Sequence, residues 1–226
     1  MKLSYGAKKY VKVVIRFVII LVIGYFYVRY PFYKVFPNIP WASWVWIGGL
    51  LLFVNILGFV GAQGGKWRRG IQAELDVEDV SHELPGNFIV LSNIVPGRIG
   101  NIDQIIIGPT GIWVIEVKSH TGRITFDGKE LRRDSELLEK DFLKQVWAET
   151  YAVHDILKRE LNNNFFVQSV ICFSDIDAEM RFGLKPVKGV YVIGLNWLNK
   201  LILKSPTRLD SSTVNEVVKI LEKYKE

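Results

Sequence analysis

The sequence predicts an α/β domain of element order α-β-β-β-α-β, a mixed sheet flanked by helices, preceded by a transmembrane helical hairpin. Three observations carry this. Two long apolar runs with basic outer flanks lie within residues 1–65. Short runs rich in Ile and Val, bounded by Gly, Pro and Asn, follow between 88 and 118 and again at 165–173, as strands do. Segments of helical period stand before and between them, at 66–84 and 135–161.

The chain divides sharply in charge. Residues 1–65 hold seven Lys/Arg and no Asp/Glu, while 66–226 hold the other 22 basic and all 23 acidic residues. The net +6 therefore belongs to the N-terminal segment, and the domain at 66–226 is near neutral. The basic balance of the whole chain is no argument for nucleic-acid binding.

The first apolar run covers about 13–30, with Arg16 close enough to its start to snorkel. It ends in Tyr25-Phe26-Tyr27-Val28-Arg29-Tyr30, which lacks the small residues of a cleavage site and reads as an uncleaved anchor. The second run, about 41–62, has the length that roughly 30 Å of hydrocarbon requires of a helix. Trp41, Trp44 and Trp46 form an interfacial belt at one end, and Lys66, Arg68 and Arg69 follow the other. Basic residues flank the outer ends of both spans, which places both termini and the C-terminal domain in the cytoplasm and the 29–40 link outside. The expectation is a multi-pass protein of the cell membrane that meets the lipid bilayer through two transmembrane helices. Gly48-Gly49 and Asn55 are candidate packing positions. Two plain spans offer too little lining for a pore.

From Lys66 to about Leu84 the spacing of Ile71, Leu75, Val77 and Val80 predicts a helix, stopped by Pro85-Gly86. Phe88–Ile94 is a predicted strand. Beyond the Pro96–Gly100 loop come two more, Ile105-Ile106-Ile107 and Ile112-Trp113-Val114-Ile115, joined through Gly108-Pro109-Thr110-Gly111. If Ile107 and Ile112 close the hairpin, Asp103 falls opposite Glu116, and Lys118 shares the face of Glu116 by the period of 2. Opposed carboxylates destabilise a hairpin unless neutralised, and a divalent cation is one neutraliser, since Mg²⁺ takes one or two carboxylates plus waters. An edge hairpin reaching solvent is the plainer alternative. A bulge at Gly111 would slip the pairing by one and move Asp103 off that face.

Thr121-Gly122 leads into a strand at Arg123–Phe126, and Asp127-Gly128 turns it into Lys129–Arg133. A long helix is predicted from Ser135 to Leu161 on the stripe Leu138, Phe142, Val146, Val153, Ile156, Leu157 and Leu161, with Gln145 near its inward side. Asn162-Asn163-Asn164 ends it. Strands at Phe165–Phe173 and Val187–Ile193 and short helices near Asn196–Leu203 and Ser211–Lys225 complete the chain. The lone Cys172 sits in an apolar run and reads as a small buried hydrophobe.

Gly97-Arg98-Ile99-Gly100-Asn101-Ile102-Asp103, the hydrophobic strand, Gly-Pro-x-Gly, Val-Ile-Glu-Val-Lys and the Gly that follows resemble the nuclease-related domain (NERD) family of the PD-(D/E)xK phosphodiesterase superfamily. The resemblance covers roughly Gly70 to Leu161. It implies a restriction-endonuclease-like core and metal-dependent hydrolysis of nucleic acid, DNA ahead of RNA. It also implies roles: Asp103, Glu116 and the Val117 carbonyl as ligands of Mg²⁺ or Mn²⁺, and Lys118 to orient the attacking water. Glu74 would aid the metal from the first helix, and Gln145 would steady the carboxylates. The Gln-x-x-x-Tyr pattern of related nucleases is not met, because position 149 is Glu149 and Tyr151 comes two residues late. Arg123, Lys129, Arg132 and Arg133 are candidate phosphate contacts, or a solvated hairpin face. The competing reading is a catalytically silent, membrane-tethered nucleic-acid-binding or scaffold module of the same fold.

Other chemistry finds little support. His82, His120 and His154 have no Cys or His partner at zinc spacing. No P-loop, dinucleotide fingerprint or Gly-x-Ser-x-Gly occurs. His120, two residues beyond Lys118, reads as a loop histidine.

Overall fold

Helix α1 spans Tyr5–Arg29 and helix α2 spans Ala42–His82 in a computed structural model that describes residues 5–31, 34, 38, 41–97 and 99–225. Most of the predicted 29–40 link, with Arg98 of the loop before the hairpin, lies outside the described residues. The chain forms two units, Met1–Ile71 and Gln72–Glu226.

In the first unit, α1 and the start of α2 lie against each other. The Tyr27 hydroxyl reaches the carbonyl of Trp46 at 3.0 Å, the Trp46 indole N–H donates to the Tyr27 carbonyl at 3.2 Å, and the two rings stack. Glycines make this approach possible: a Cβ at Gly24 would overlap the Phe53 ring, and one at Gly49 would overlap the Tyr27 hydroxyl. Gly48 has open space beside it, and Asn55 turns back to donate to Leu51 of its own helix at 2.8 Å. Among the described residues one helix, Ser43–His82, is long and apolar enough to cross a membrane by length and composition. The predicted separate helix from Lys66 is thus the continuation of α2 rather than a new element.

The second unit is built on a five-stranded sheet. Strands β1 (Ile89–Ile94), β2 (Ile102–Gly108) and β3 (Gly111–Lys118) form an antiparallel meander. Then come β4 (Gly122–Phe126), β5 (Leu131–Arg133) and β6 (Glu136–Leu137), helix α3 (Phe142–Leu161), β7 (Val167–Phe173), β8 (Ala178–Met180) and β9 (Val190–Gly194). Helices α4 (Leu198–Lys204) and α5 (Ser211–Leu221) close the chain. The large sheet has the order β1-β2-β3-β7-β9, with β7 parallel to β3 and β9 parallel to β7. The predicted α-β-β-β-α-β order is present in α2, β1–β3, α3 and β7, a mixed α/β arrangement consistent with a nuclease-like fold.

Alternation along the strands sends neighbours to opposite faces. Ile105, Ile107, Ile112, Val114 and Ile171 pack with Val146, Val153 and Leu157 of α3 and with Val214 and Val217 of α5. Ile106, Trp113, Ile115, Val170 and Cys172 face Val77 of α2 and Leu198, Leu201 and Ile202 of α4. Helices cover both faces, so the strands read as unbroken apolar runs. Cys172 is fully buried as expected, and burial pushes its thiol up to about 12.

The predicted helix from Ser135 is corrected: α3 begins at Phe142. Asp134 and Ser135 both adopt positive φ, 50° and 72°, and form the tight turn that pairs Arg133 with Glu136, the backbone a two-residue hairpin demands. Asp141 then caps α3 by accepting from the Lys144 N–H at 3.0 Å, which satisfies one of the orphan donors of the first turn. Leu138 still packs against the core, but from the connecting segment. These short strands belong to a second sheet of order β6-β5-β4-β8. The predicted strand from Lys129 begins only at Leu131, because Asp127 accepts from the Lys129 and Glu130 N–H groups and holds 127–130 as a loop.

Candidate functional site

The hairpin register is the one that places the acids together. Pairing runs from Gly108↔Gly111 through Ile107↔Ile112 to Gln104↔Ile115, and one further step sets Asp103 across from Glu116. The turn is tighter than the four residues expected, with only Pro109-Thr110 between paired glycines. Gly111 has φ 130°, a value that L side chains avoid, and it accommodates the turn without the bulge that would have shifted Asp103. Beyond Ile115 the two strands part: the Val117 N–H donates to Oδ2 of Asp103 at 2.9 Å, while β3 stays paired with β7 as far as Lys118↔Phe173.

Helix α3 supplies the other wall. Gln145 donates from Nε2 to Oε1 of Glu116 at 2.7 Å and to Oε1 of Glu149 at 3.0 Å, and its Oε1 accepts from Lys118 Nζ at 3.3 Å. Lys118 also donates to Oε1 of Glu116 and lies 4.3 Å from the centroid of the Phe142 ring. Both donors thus converge on Oε1 of Glu116, and Oε2 is buried with no hydrogen-bond partner. Oε2 of Glu149 is in the same state. Glu116 and Glu149 are 4% and 3% exposed, which makes unpaired oxygens costly.

Glu74 comes from the part of α2 that packs on the sheet. Ser81, two turns further along, is fully buried and donates to Oε1 of Gln104 in β2 at 2.7 Å. Burial and then the charges of Glu116 and Glu78 push the Glu74 carboxyl up to about 7. Burial, then Glu116, raises Glu149 to about 9. Asp103 is raised well above the ordinary carboxylate range by burial, then by Glu116 and Glu74, against the Val117 N–H and Lys118. Four carboxyl groups share one lysine in a poorly solvated place, and their charges disfavour one another.

Glu149 is the site residue that the sequence reading did not select. It stands one helical turn beyond Gln145 on the side facing β3, and that i,i+4 spacing was the available signal. His120 is closer to the site than a free loop residue: its ring meets Phe142 edge-on at 5.2 Å, and Nδ1 is buried without a partner. Burial, then Lys118 and Arg133, lowers its pKa.

The four candidate phosphate contacts do not form one patch. Arg132 is held by Asp127 at 2.6 Å, and Lys129 sits in the loop at the tip. Arg133 pairs with Ile124 and shares its face, opposite to that of Arg123.

The oxygens present suit a hard divalent cation. Asp103 and Glu116 each give one oxygen to protein donors, and the second oxygen of Glu116 has none. No group of three or more His, Cys, Asp or Glu among the described residues forms a ready metal cage. Two carboxylates remain, and Mg²⁺ takes one or two carboxylates while keeping several waters.

Residues 69–174 match the nuclease-related domain (NERD) family. The matched stretch holds Glu74, Asp103, Glu116, Lys118, Gln145 and Glu149, and it reaches past α3 to the end of β7. The match lies in the central part of the chain and covers a little under half of its 226 residues. No curated protein and no solved structure matches it.

Proposed function

We propose that the chain is a membrane-anchored nuclease that hydrolyses phosphodiester bonds with Mg²⁺ or Mn²⁺. The observation that carries this reading is the division of labour on Glu116: Lys118 and Gln145 both hold Oε1, and Oε2 stays buried and unpartnered beside Asp103. Asp103, Glu116 and the Val117 carbonyl would hold the ion. When bound, it would polarise the phosphate and lower the pKa of a coordinated water. Lys118 orients the attacking water and offers a compact positive charge to the phosphate oxygens. Gln145 fixes Glu116, Lys118 and Glu149 relative to one another. Glu149 and Glu74, whose burial favours the protonated form, would give up protons as a cation enters.

The anchor reading rests on the antiparallel contacts of α1 with α2 and on the apolar length of α2. Basic residues at the outer ends would keep the nuclease-related domain in the cytoplasm.

The test uses the full-length chain in detergent with labelled single- and double-stranded DNA and RNA, in Mg²⁺, Mn²⁺ or EDTA. Metal-dependent cleavage lost in Asp103→Ala and Lys118→Ala is the expected result, DNA being cut ahead of RNA. Cleavage that survives both substitutions would sink the site assignment. Binding without cleavage would turn the reading to a tethered scaffold.

A further inference from the structure

A second concavity lies on the far side of α3 from Gln145, where the helix meets the start of β7 and the segment before β9. Its volume is about 430 Å³, within the range of small-ligand sites. Its walls are aromatic and unusually open to solvent for rings of this size. Trp147 and Tyr151 stack at 5.3 Å, and Phe166 carries the Arg208 guanidinium 4.9 Å from its ring centroid. Tyr151 and Phe166 are 58% and 62% exposed. At the edge stands Gln168, 6% exposed, whose Nε2 is buried with no partner.

We propose that this pocket binds a nucleobase. A planar ring with a polar edge answers each feature. Every base has a face that stacks on exposed aromatic rings, a contact worth about 1–3 kcal/mol per base. The Gln168 amide has an unused donor, and base edges carry acceptors. Arg208, already placed over the Phe166 ring, serves as cation over a stacked base or as phosphate contact. A purely apolar occupant would leave the Gln168 donor unpaired in a buried place, which is unfavourable.

The pocket and the carboxylate site draw on the same helix, α3. Thr150, which lines it, directly follows Glu149, and Tyr151 is six residues from Gln145, roughly 9 Å along the helix at 1.5 Å per residue. Pro186, Gly189, Tyr191 and Arg208 lie beyond the residues matched by the nuclease-related family. That the base belongs to a strand being cut rests on the nuclease reading. That the pocket takes a base does not.

The experiment titrates the full-length chain, in EDTA, into a fluorescent adenine analogue, as the free monophosphate and within a single-stranded oligonucleotide. Unlabelled AMP, CMP and ribose phosphate compete. Saturable quenching by stacking is expected, reversed by AMP or CMP but not by ribose phosphate, and weakened about tenfold or more in Tyr151→Ala and Phe166→Ala. Both side chains are exposed, and circular dichroism checks that the variants fold. Quenching unaffected by both substitutions, equal competition by ribose phosphate, or no quenching overturns the proposal. Quenching by the oligonucleotide alone identifies a strand subsite, and quenching by both forms identifies a nucleotide site. Base binding in a chain that cleaves nothing would retire the nuclease reading and leave the pocket; cleavage intact with no base binding would do the reverse.

Discussion

Gln145 holds Glu116 from helix α3: its Nε2 lies 2.7 Å from Oε1, while its own Oε1 accepts from Lys118. One amide therefore sets both a carboxylate and the neighbouring ammonium, using a donor and an acceptor that no carboxylate or lysine side chain combines. Substituting Gln145→Ala is expected to raise the Mg²⁺ needed for half-maximal cleavage about 10- to 100-fold, as losses of such supporting bonds do. The metal titration of cleavage by the variant checks this; an unchanged titration would remove Gln145 from the site.

Lys118 is expected to matter differently. Lys118→Met should cut the rate about 100- to 1,000-fold, the usual loss when a donor to developing charge is removed, while leaving the metal titration near that of the parent. Lys118→Arg should not restore it, because the planar guanidinium is larger and directs its donors differently. Single-turnover cleavage at saturating metal is the measurement.

The buried acids fix a pH dependence. Glu74 and Glu149 stand at about 7 and about 9 in the folded chain, above their ordinary value, so the folded state holds protons that the unfolded state has released. Their contribution to stability is fully present below about pH 4.5 and is lost as pH rises through 7 and then 9. Thermal unfolding in EDTA should therefore show the unfolding temperature falling from pH 5 to pH 9. Glu149→Gln should flatten the upper half of that fall. A slope identical to the parent's would mean that Glu149 is not the group responsible.

Adding Mg²⁺ should reverse the trend. The ion needs deprotonated ligands, so binding releases protons, and its stabilising effect should grow with pH over the same interval. Calorimetric titration in buffers of differing ionisation heat reads the released protons directly. Release should vanish in Asp103→Asn, and release that persists there would move the ion elsewhere.

Ser81→Ala tests the mounting of Glu74. It leaves Oε1 of Gln104 buried without its donor, which should cost about 1–3 kcal/mol, measured by denaturant unfolding. A loss well under that range would mean that water replaces the hydroxyl.

Much of this arrangement was legible in the chain. The sheet's central strands announced themselves because both faces are buried and their Ile/Val runs are unbroken. The opposition of Asp103 and Glu116 followed from counting outward from Gly108 and Gly111. The helix start at Phe142 was hidden by Leu138, which continues the apolar stripe although Asp134 and Ser135 turn the chain into β6. Glu149 was hidden because a carboxylate on a helix is ordinarily solvated; only the docking of α3 against β3 buries it. The second sheet was illegible for a similar reason, since β8 begins 56 residues after β4 begins and pairs with it in parallel.

The two-residue turn at Pro109-Thr110 couples loop length to chemistry. Because successive side chains alternate between faces, adding a single residue there would carry Asp103 from the α3 side of the sheet to the α4 side. The 127–130 loop, whose hairpin bears none of the site carboxylates, carries no such constraint. Lengthening the second should leave the protein competent, whereas lengthening the first should yield a folded chain with its acids on opposite sides. In this molecule the ruler that measures out the carboxylate site is the two-residue turn between the paired glycines.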